Sequence, residues 1–306
     1  MKTGRFPTSP VQAGCRAFTV VELLVAISVL TLIVLVLFGL FDQVQKALLG
    51  NVAQVDVLEG GRAQVQLLSE ELQQTAAGDI PGNTNLFIRM TALPYEQAVG
   101  NANEVRTNVL QGLIFLTHSN KSWFATSYKV LVFTNKPGNP FYPDVQFANR
   151  VGTIGRYSLK ISDSDFGNTN LVANIFEQLD PALSPAPNLQ LLTNYQPIVD
   201  GVVHFRVHAY DTNGFLLNYL TNVVGVRMTY DPLNVVPSGT VAAETRYAFT
   251  NAAVPAYLDV EMGILEPRVL ERYRSFPNPV VASNYLSRQA AAVHLFQQRI
   301  PIRAAQ

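Results

Sequence analysis

The feature that most constrains this chain is the run from Leu23 to Phe41, which contains no charged residue and no proline. With Phe18 to Val21 before it, the apolar segment is about two dozen residues long, enough to cross ~30 Å of hydrocarbon as a helix. A secretory signal peptide would have a shorter apolar core followed by a small-residue cleavage site. Here the run gives way to Asp42, Gln43, Val44, Gln45 and Lys46. The basic residues ahead of it are Lys2, Arg5 and Arg16, with no acid among them. The positive-inside bias then keeps the N-terminus in the cytoplasm and exports the rest. One residue breaks the pattern. Glu22 lies between Val21 and Leu23, and an isolated carboxylate in hydrocarbon is costly.

Composition narrows the function. Charged residues make up 14% of the chain and hydrophobic residues 48%, whereas about a quarter charged is usual for a globular protein. Lysine plus arginine and aspartate plus glutamate balance at 22 each. Nucleic acid as a main partner is disfavoured, because phosphate binding wants a basic excess. The one cysteine, Cys15, cannot form an intramolecular disulfide or a Cys-rich zinc site. A lipoprotein reading of "QAGC" fails on order, because the apolar core follows Cys15 instead of preceding it.

The stretch Ala17-Phe18-Thr19-Val20-Val21-Glu22-Leu23-Leu24-Val25-Ala26 resembles the processing site of type IV prepilins and type II secretion pseudopilins. In that family a short basic leader precedes a peptidase site, a phenylalanine, several apolar residues and a glutamate at the fifth mature position. The resemblance implies cleavage between Ala17 and Phe18, N-methylation of Phe18, and an assembly role for Glu22 at mature position five. The family usually has glycine before the cut, where this chain has Ala17. Gly14 is the rival site; cutting there would put Cys15 first and Glu22 at position eight. A plain signal anchor has no reason to reproduce this pattern.

After Phe41 the apolar spacing changes. Phe41, Val44, Leu48, Val52, Val55, Leu58, Val65, Leu68 and Leu72 recur at helical intervals, with polar residues between them. Gly50 and the Gly60–Gly61 pair weaken this helix locally and allow bends. It is expected to end near Ala77, before Gly78, Pro81 and Gly82. A helix from Phe18 to there would be roughly 90 Å long. The heptad phase slips at the double glycine, which weakens a coiled-coil reading.

From Asp79 onward the chain reads as strands and loops. Strands are expected at Leu86 to Met90, Val109 to Thr117, Tyr128 to Thr134, Thr153 to Ile161, Val202 to Tyr210 and Ala256 to Ile264. "DTNG" at Asp211 to Gly214 reads as a turn, with Phe215 onward returning as a hairpin. "NKPGNPFYP", "PALSPAPN" and "DPLNVVPSG" read as loops. Arg268 to Arg274 is helical or irregular, Asn284 to Ala292 suits a short helix, and "VHLFQQRIPIR" suits an edge strand.

The resulting fold class is α+β: one long N-terminal helix, its first half transmembrane, packed on a mainly antiparallel sheet head. That is also the pilin-like arrangement the motif implies. The divisions are a leader at 1–17, an assembly helix at 18–41, its amphipathic continuation at 42–77 and a periplasmic head at 78–306. The large head, with "PIVDGVVHFRVHAYD" and "AYLDVEMGILEP", resembles minor pseudopilins of the J class and minor pilins of the PilW class. The resemblance implies a structural, non-enzymatic subunit of a bacterial inner-membrane secretion system. Its partners would be other pseudopilins or pilins, a prepilin peptidase and an inner-membrane assembly platform.

Chemical sites are few. His204 and His208 share a strand face but would lie roughly 13 Å apart, too far for one ion. They read as part of a polar sheet face. Asp163, Asp165 and Asn168 around Gly167 suggest a calcium loop, but Ile175 and Phe176 occupy the region where a bidentate glutamate would fall. A solvated turn is the simpler reading. No HExxH, G-x-S-x-G or P-loop occurs, and no cofactor is expected. A membrane-anchored enzyme or binding module is the alternative, and a concave polar site in the head would mark it.

Overall fold

The computed structural model describes residues 19–78, 84–100, 104–119, 122–136, 139–162, 176, 179–180, 189–217, 226–230, 245–250 and 253–303. The chain divides into two compact units, Met1–Val52 and Ala53–Gln306.

Helix α1 spans Val20–Leu72. It is long and apolar enough near the N-terminus to cross a membrane. Every side chain from 19 to 49 is exposed. The two hydroxyls in the apolar run bond within the helix: Ser28 donates to the Leu24 carbonyl at 2.8 Å and Thr31 to that of Ile27 at 2.7 Å. Back-bonding of this kind satisfies a hydroxyl without water. The first charges beyond the run, Asp42 and Lys46, pair at 2.7 Å one turn apart.

In the second unit, helix residues 53–72 bury a stripe of Val57, Gly61, Gln64, Val65, Leu68, Ser69 and Leu72. These recur at the three- and four-residue intervals of one helix face. Val52 and Val55 lie outside that stripe and are exposed. The helix runs unbroken through Gly60–Gly61. Gly61 is a packing position: a Cβ there would lie 2.3 Å from the ring of Phe296. The helix stops at Leu72, short of the expected Ala77, because the chain then joins the sheet. Thr75 bridges to Thr117, and the Ala76 N–H bonds the Leu116 carbonyl at 2.9 Å.

The strands are β1 Thr84–Met90, β2 Tyr95–Ala98, β3 Val105–Asn108, β4 Gln111–Ser119, β5 Ser122–Lys136 and β6 Asn139–Phe147. They continue as β7 Gly152–Ser162, β8 Gln196–Tyr210, β9 Val226–Tyr230, β10 Thr245–Thr250, β11 Tyr257–Leu265 and β12 Val293–Pro301. Helices α2, Pro267–Arg274, and α3, Pro279–Leu286, lie between the last two strands. Among the described residues the main sheet has ten strands in the order β12-β11-β8-β7-β5-β4-β1-β10-β9, with β6 on β5; β2 and β3 pair separately. All its ladders are antiparallel. The sheet curls, bringing β8 onto the start of β4. Leu110 bridges Phe205, the Phe205 N–H reaches the Val109 carbonyl at 2.8 Å, and the Val207 N–H reaches Gln111 Oε1 at 2.6 Å.

One sheet face packs Leu86, Ile88, Phe115, Tyr128, Phe205, Val207 and Val260 with the helix stripe. The other buries Phe87, Ile114, Leu116, Ala125 and Ile161 with Phe176 and Leu179. Both faces of β4 are therefore covered, as its continuous apolar run requires.

Several boundaries differ from expectation. "NKPGNPFYP" is not wholly a loop: Asn139–Phe147 forms β6 on the C-terminal half of β5. Pro140 and Pro143 are tolerated because β6 pairs with β5 alone among the described strands. The helix expected at Asn284 to Ala292 begins earlier, where Asn278 caps it by accepting the Val280 N–H at 2.9 Å and Pro279 fills the first turn. The β2–β3 hairpin is an addition. Gly214, at φ 80°, closes the Asp211 turn, and Leu216 bridges back to Tyr210 as expected. The "PALSPAPN" and "DPLNVVPSG" segments lie outside the described residues.

The two glycines give a paired prediction. Around Gly60 an added Cβ meets nothing within 4 Å, so Gly60→Ala raises stability by ~0.5–1 kcal/mol through helix propensity. Gly61→Ala must push the partly buried Phe296 ring aside, which offsets the propensity gain, so it stabilises less than Gly60→Ala. Urea unfolding of the two variants checks this, and an equal gain in both refutes the packing role.

Candidate functional site

The first site is the start of α1. Thr19 precedes the helix and Glu22 lies in its first turn. Glu22 Oε2 accepts the Thr19 N–H at 2.9 Å and the Thr19 hydroxyl at 3.0 Å, while the Glu22 N–H reaches Thr19 Oγ1 at 3.3 Å. This is a reciprocal capping box, T-x-x-E, which satisfies helix-start amides that have no intrahelical partner. Both carboxylate bonds use Oε2, so Oε1 keeps its accepting capacity. Ala17 and Phe18 lie outside the described residues, as do Asp163, Asp165 and Asn168.

His204 and His208 share a strand face as expected, with Arg206 between them and Asp259 and Glu261 opposite on β11, but that face is not open to solvent at His204. His204 is buried because the sheet curl covers it. Its Nδ1 accepts the Val109 N–H at 3.2 Å and its Nε2 lies 3.3 Å from Glu261 Oε2. The hydrogen bond from His204 is the main reason the Glu261 carboxyl lies below its usual range. Both ring nitrogens of His204 thus serve the fold.

The head's other polar clusters also join elements. On the helix side, Glu71 accepts the Tyr128 hydroxyl at 2.6 Å and pairs with Arg156 at 2.7 Å, tying the last turn of α1 to β5 and β7. On the opposite face, Lys129 is fully buried. Its Nζ lies 3.0 Å from Asp180 Oδ1 and donates to the Leu179 carbonyl at 2.6 Å. Arg89 Nε reaches the other Asp180 oxygen at 2.7 Å. The Tyr195 hydroxyl closes the cluster by bonding Ser127 and Leu179. Gln97 accepts from Arg106 and Asn108 and donates to the Leu286 carbonyl at 2.8 Å, holding β2–β3 to the end of α3.

Asp200 receives both ends of Arg274 at 2.7 Å, the Thr153 hydroxyl at 2.8 Å and the Gly201 N–H at 2.8 Å. Partial burial pushes its carboxyl up, but these donors together hold it below the usual range. This pair lines a concavity of about 590 Å³ beside β7 and α2. A second concavity, about 630 Å³, lies between α1 and β12.

Sequence reading missed the Lys129 cluster, although a lone lysine inside "YKVLVFT" is a signal that a buried counter-charge is needed. The partner could not be read, because Asp180 lies far along the chain from Lys129. Comparison with known proteins found no matching family model, no matching curated protein and no matching solved structure.

The Lys129 cluster sets a pH dependence. Burial first of all pushes the Lys129 amine down to about 8, below its value of about 10.4 in an unfolded chain. Between these values the unfolded chain binds the additional proton, so stability rises with pH by up to ~1.4 kcal/mol per unit. Burial raises the hydroxyls of Tyr95, Tyr128 and Tyr195, so above about pH 10 stability falls again as the unfolded tyrosines ionise. Urea titrations of the full chain in detergent from pH 7 to 11 should show this maximum. Lys129→Met should abolish the rise between pH 8 and 10; an unchanged rise would exclude Lys129 as its source.

Proposed function

We propose that the chain is a prepilin-like structural subunit, a minor pseudopilin of the J class that assembles into the tip of a type II secretion pseudopilus. One observation carries this reading: the stretch Ala17 to Ala26 places Glu22 a fixed distance from a small-residue/phenylalanine junction, at the head of an apolar helix. The leader 1–17 stays cytoplasmic, prepilin peptidase cuts between Ala17 and Phe18, and Phe18 is N-methylated. The head is periplasmic, and the role is non-enzymatic. Helix packing through the apolar segment supplies cohesion between subunits, with other pseudopilins and the inner-membrane platform as partners.

Glu22 then has two tasks. Its Oε2 caps its own helix through Thr19. Its remaining oxygen accepts the N-terminal amine of a neighbouring subunit, because a paired charge in lipid is far less costly than two separate ones.

Glu22→Gln separates the tasks, since glutamine also serves in a capping box. The expected result is normal membrane insertion with assembly reduced as severely as in Glu22→Leu. Wild-type filament yield in Glu22→Gln would show that capping alone is needed. Mass spectrometry of the mature chain should find methylated Phe18 first, and any other terminus refutes the processing assignment.

A further inference from the structure

Strand β12 is paired along one side. Its ladder to β11 runs from Leu265–Val293 to Tyr257–Pro301, and no described strand occupies the other side. Alternate residues of a strand turn their N–H and C=O groups to opposite sides, so half of this backbone faces outward.

Protein sheets guard such edges with charge, proline or bulges. Here the guards stand at one end. Arg299 lies over the Tyr210 ring at 4.4 Å, and Pro301 closes the strand. From Leu295 to Gln298 there is neither charge nor proline, and Leu295 is 56% exposed. The groove of about 630 Å³ runs beside this stretch. Leu58, Val65, Leu295 and Phe296 give it an apolar lining, and among the described residues Arg62 is the one charged residue there. Arg62 is exposed and makes no ion pair among the described residues.

We propose that β12 and this groove are a docking surface for an extended segment of a partner protein. The segment adds to the sheet as a further strand, sets an apolar side chain against Leu295 and places a carboxylate on Arg62. Main-chain bonds would supply affinity, and the groove and Arg62 selectivity. A second copy pairing edge to edge fits less well. Residues 293–301 contain no acid, so that arrangement would bring Arg299 and leave Arg62 without a counter-charge.

This surface is independent of the assembly role: its failure leaves the Glu22 result untouched, and the reverse also holds. The test pans a short random-peptide display library on the full chain in detergent. Arg62→Glu is the control; it changes an exposed helical residue to another good helix former, with circular dichroism to verify its fold. Enriched peptides should combine apolar and acidic residues. They should bind Arg62→Glu at least roughly tenfold more weakly, about 1.4 kcal/mol, and lose affinity when alternate amides are N-methylated. No enrichment beyond the control overturns the proposal, as does binding indifferent to N-methylation or to Arg62→Glu. A concentration-dependent dimer that excludes the peptides also overturns it, in favour of a second copy.

Discussion

The head depends on burying one face of residues 57–72 against a sheet that cannot otherwise close its core. Leu68 and Leu72 are almost fully buried, and they meet Leu86, Phe115, Phe205 and Val260 from strands spread across the sheet. Each such side chain contributes about 1.5–3 kcal/mol when fully withdrawn from water. Apolar contact alone leaves a helix free to slide along its axis. Glu71 removes that freedom, because its two oxygens must reach Tyr128 on β5 and Arg156 on β7 together. At the other end Gly61 lets the Phe296 ring approach the helix backbone, and an added Cβ would have to push that ring aside. The ion pair and this close approach both oppose sliding of the helix.

The opposite face solves a different problem. Lys129 turns away from the helix because its neighbours Tyr128 and Val130 turn toward it. A charge there needs a partner, and Asp180 is brought to it with Phe176 and Leu179 as apolar anchors. Arg89 shares the same carboxylate, so the cluster carries two cations against one anion. Such an arrangement is weak evidence for net stability, since desolvation offsets much of the attraction. Its definite effect is positional: the chain at Leu179–Asp180 has one place to sit on the sheet.

What could be read from the sequence follows from how local each signal is. The apolar run, the alternation in β8 and β11 and the turn at Gly214 act over a few residues, and the structure has those elements. Proline content misled at β6, because it forbids a central strand but not an edge, and edges are decided by neighbours elsewhere in the chain. Helix α1 stopped early because Thr75 found Thr117, a contact no local pattern announces. His204 looked solvated because alternation gives a side chain's face, whereas the curl of the sheet decides whether that face is covered. The Thr19–Glu22 box was legible as T-x-x-E, yet the costly carboxylate drew attention to its charge and away from its neighbour.

That box bears on why an acid is tolerated at the head of an apolar helix. A helix start leaves amides unbonded, and in hydrocarbon those amides are themselves costly. A carboxylate placed in the first turn relieves them and benefits from the positive end of the helix dipole. Part of its desolvation cost is therefore offset within the helix itself. The charge that remains still asks for a cation, and the capping geometry holds it at the helix start with one oxygen uncommitted. Local capping and the proposed charge pairing are not competing explanations: the first positions the carboxylate that the second would neutralise.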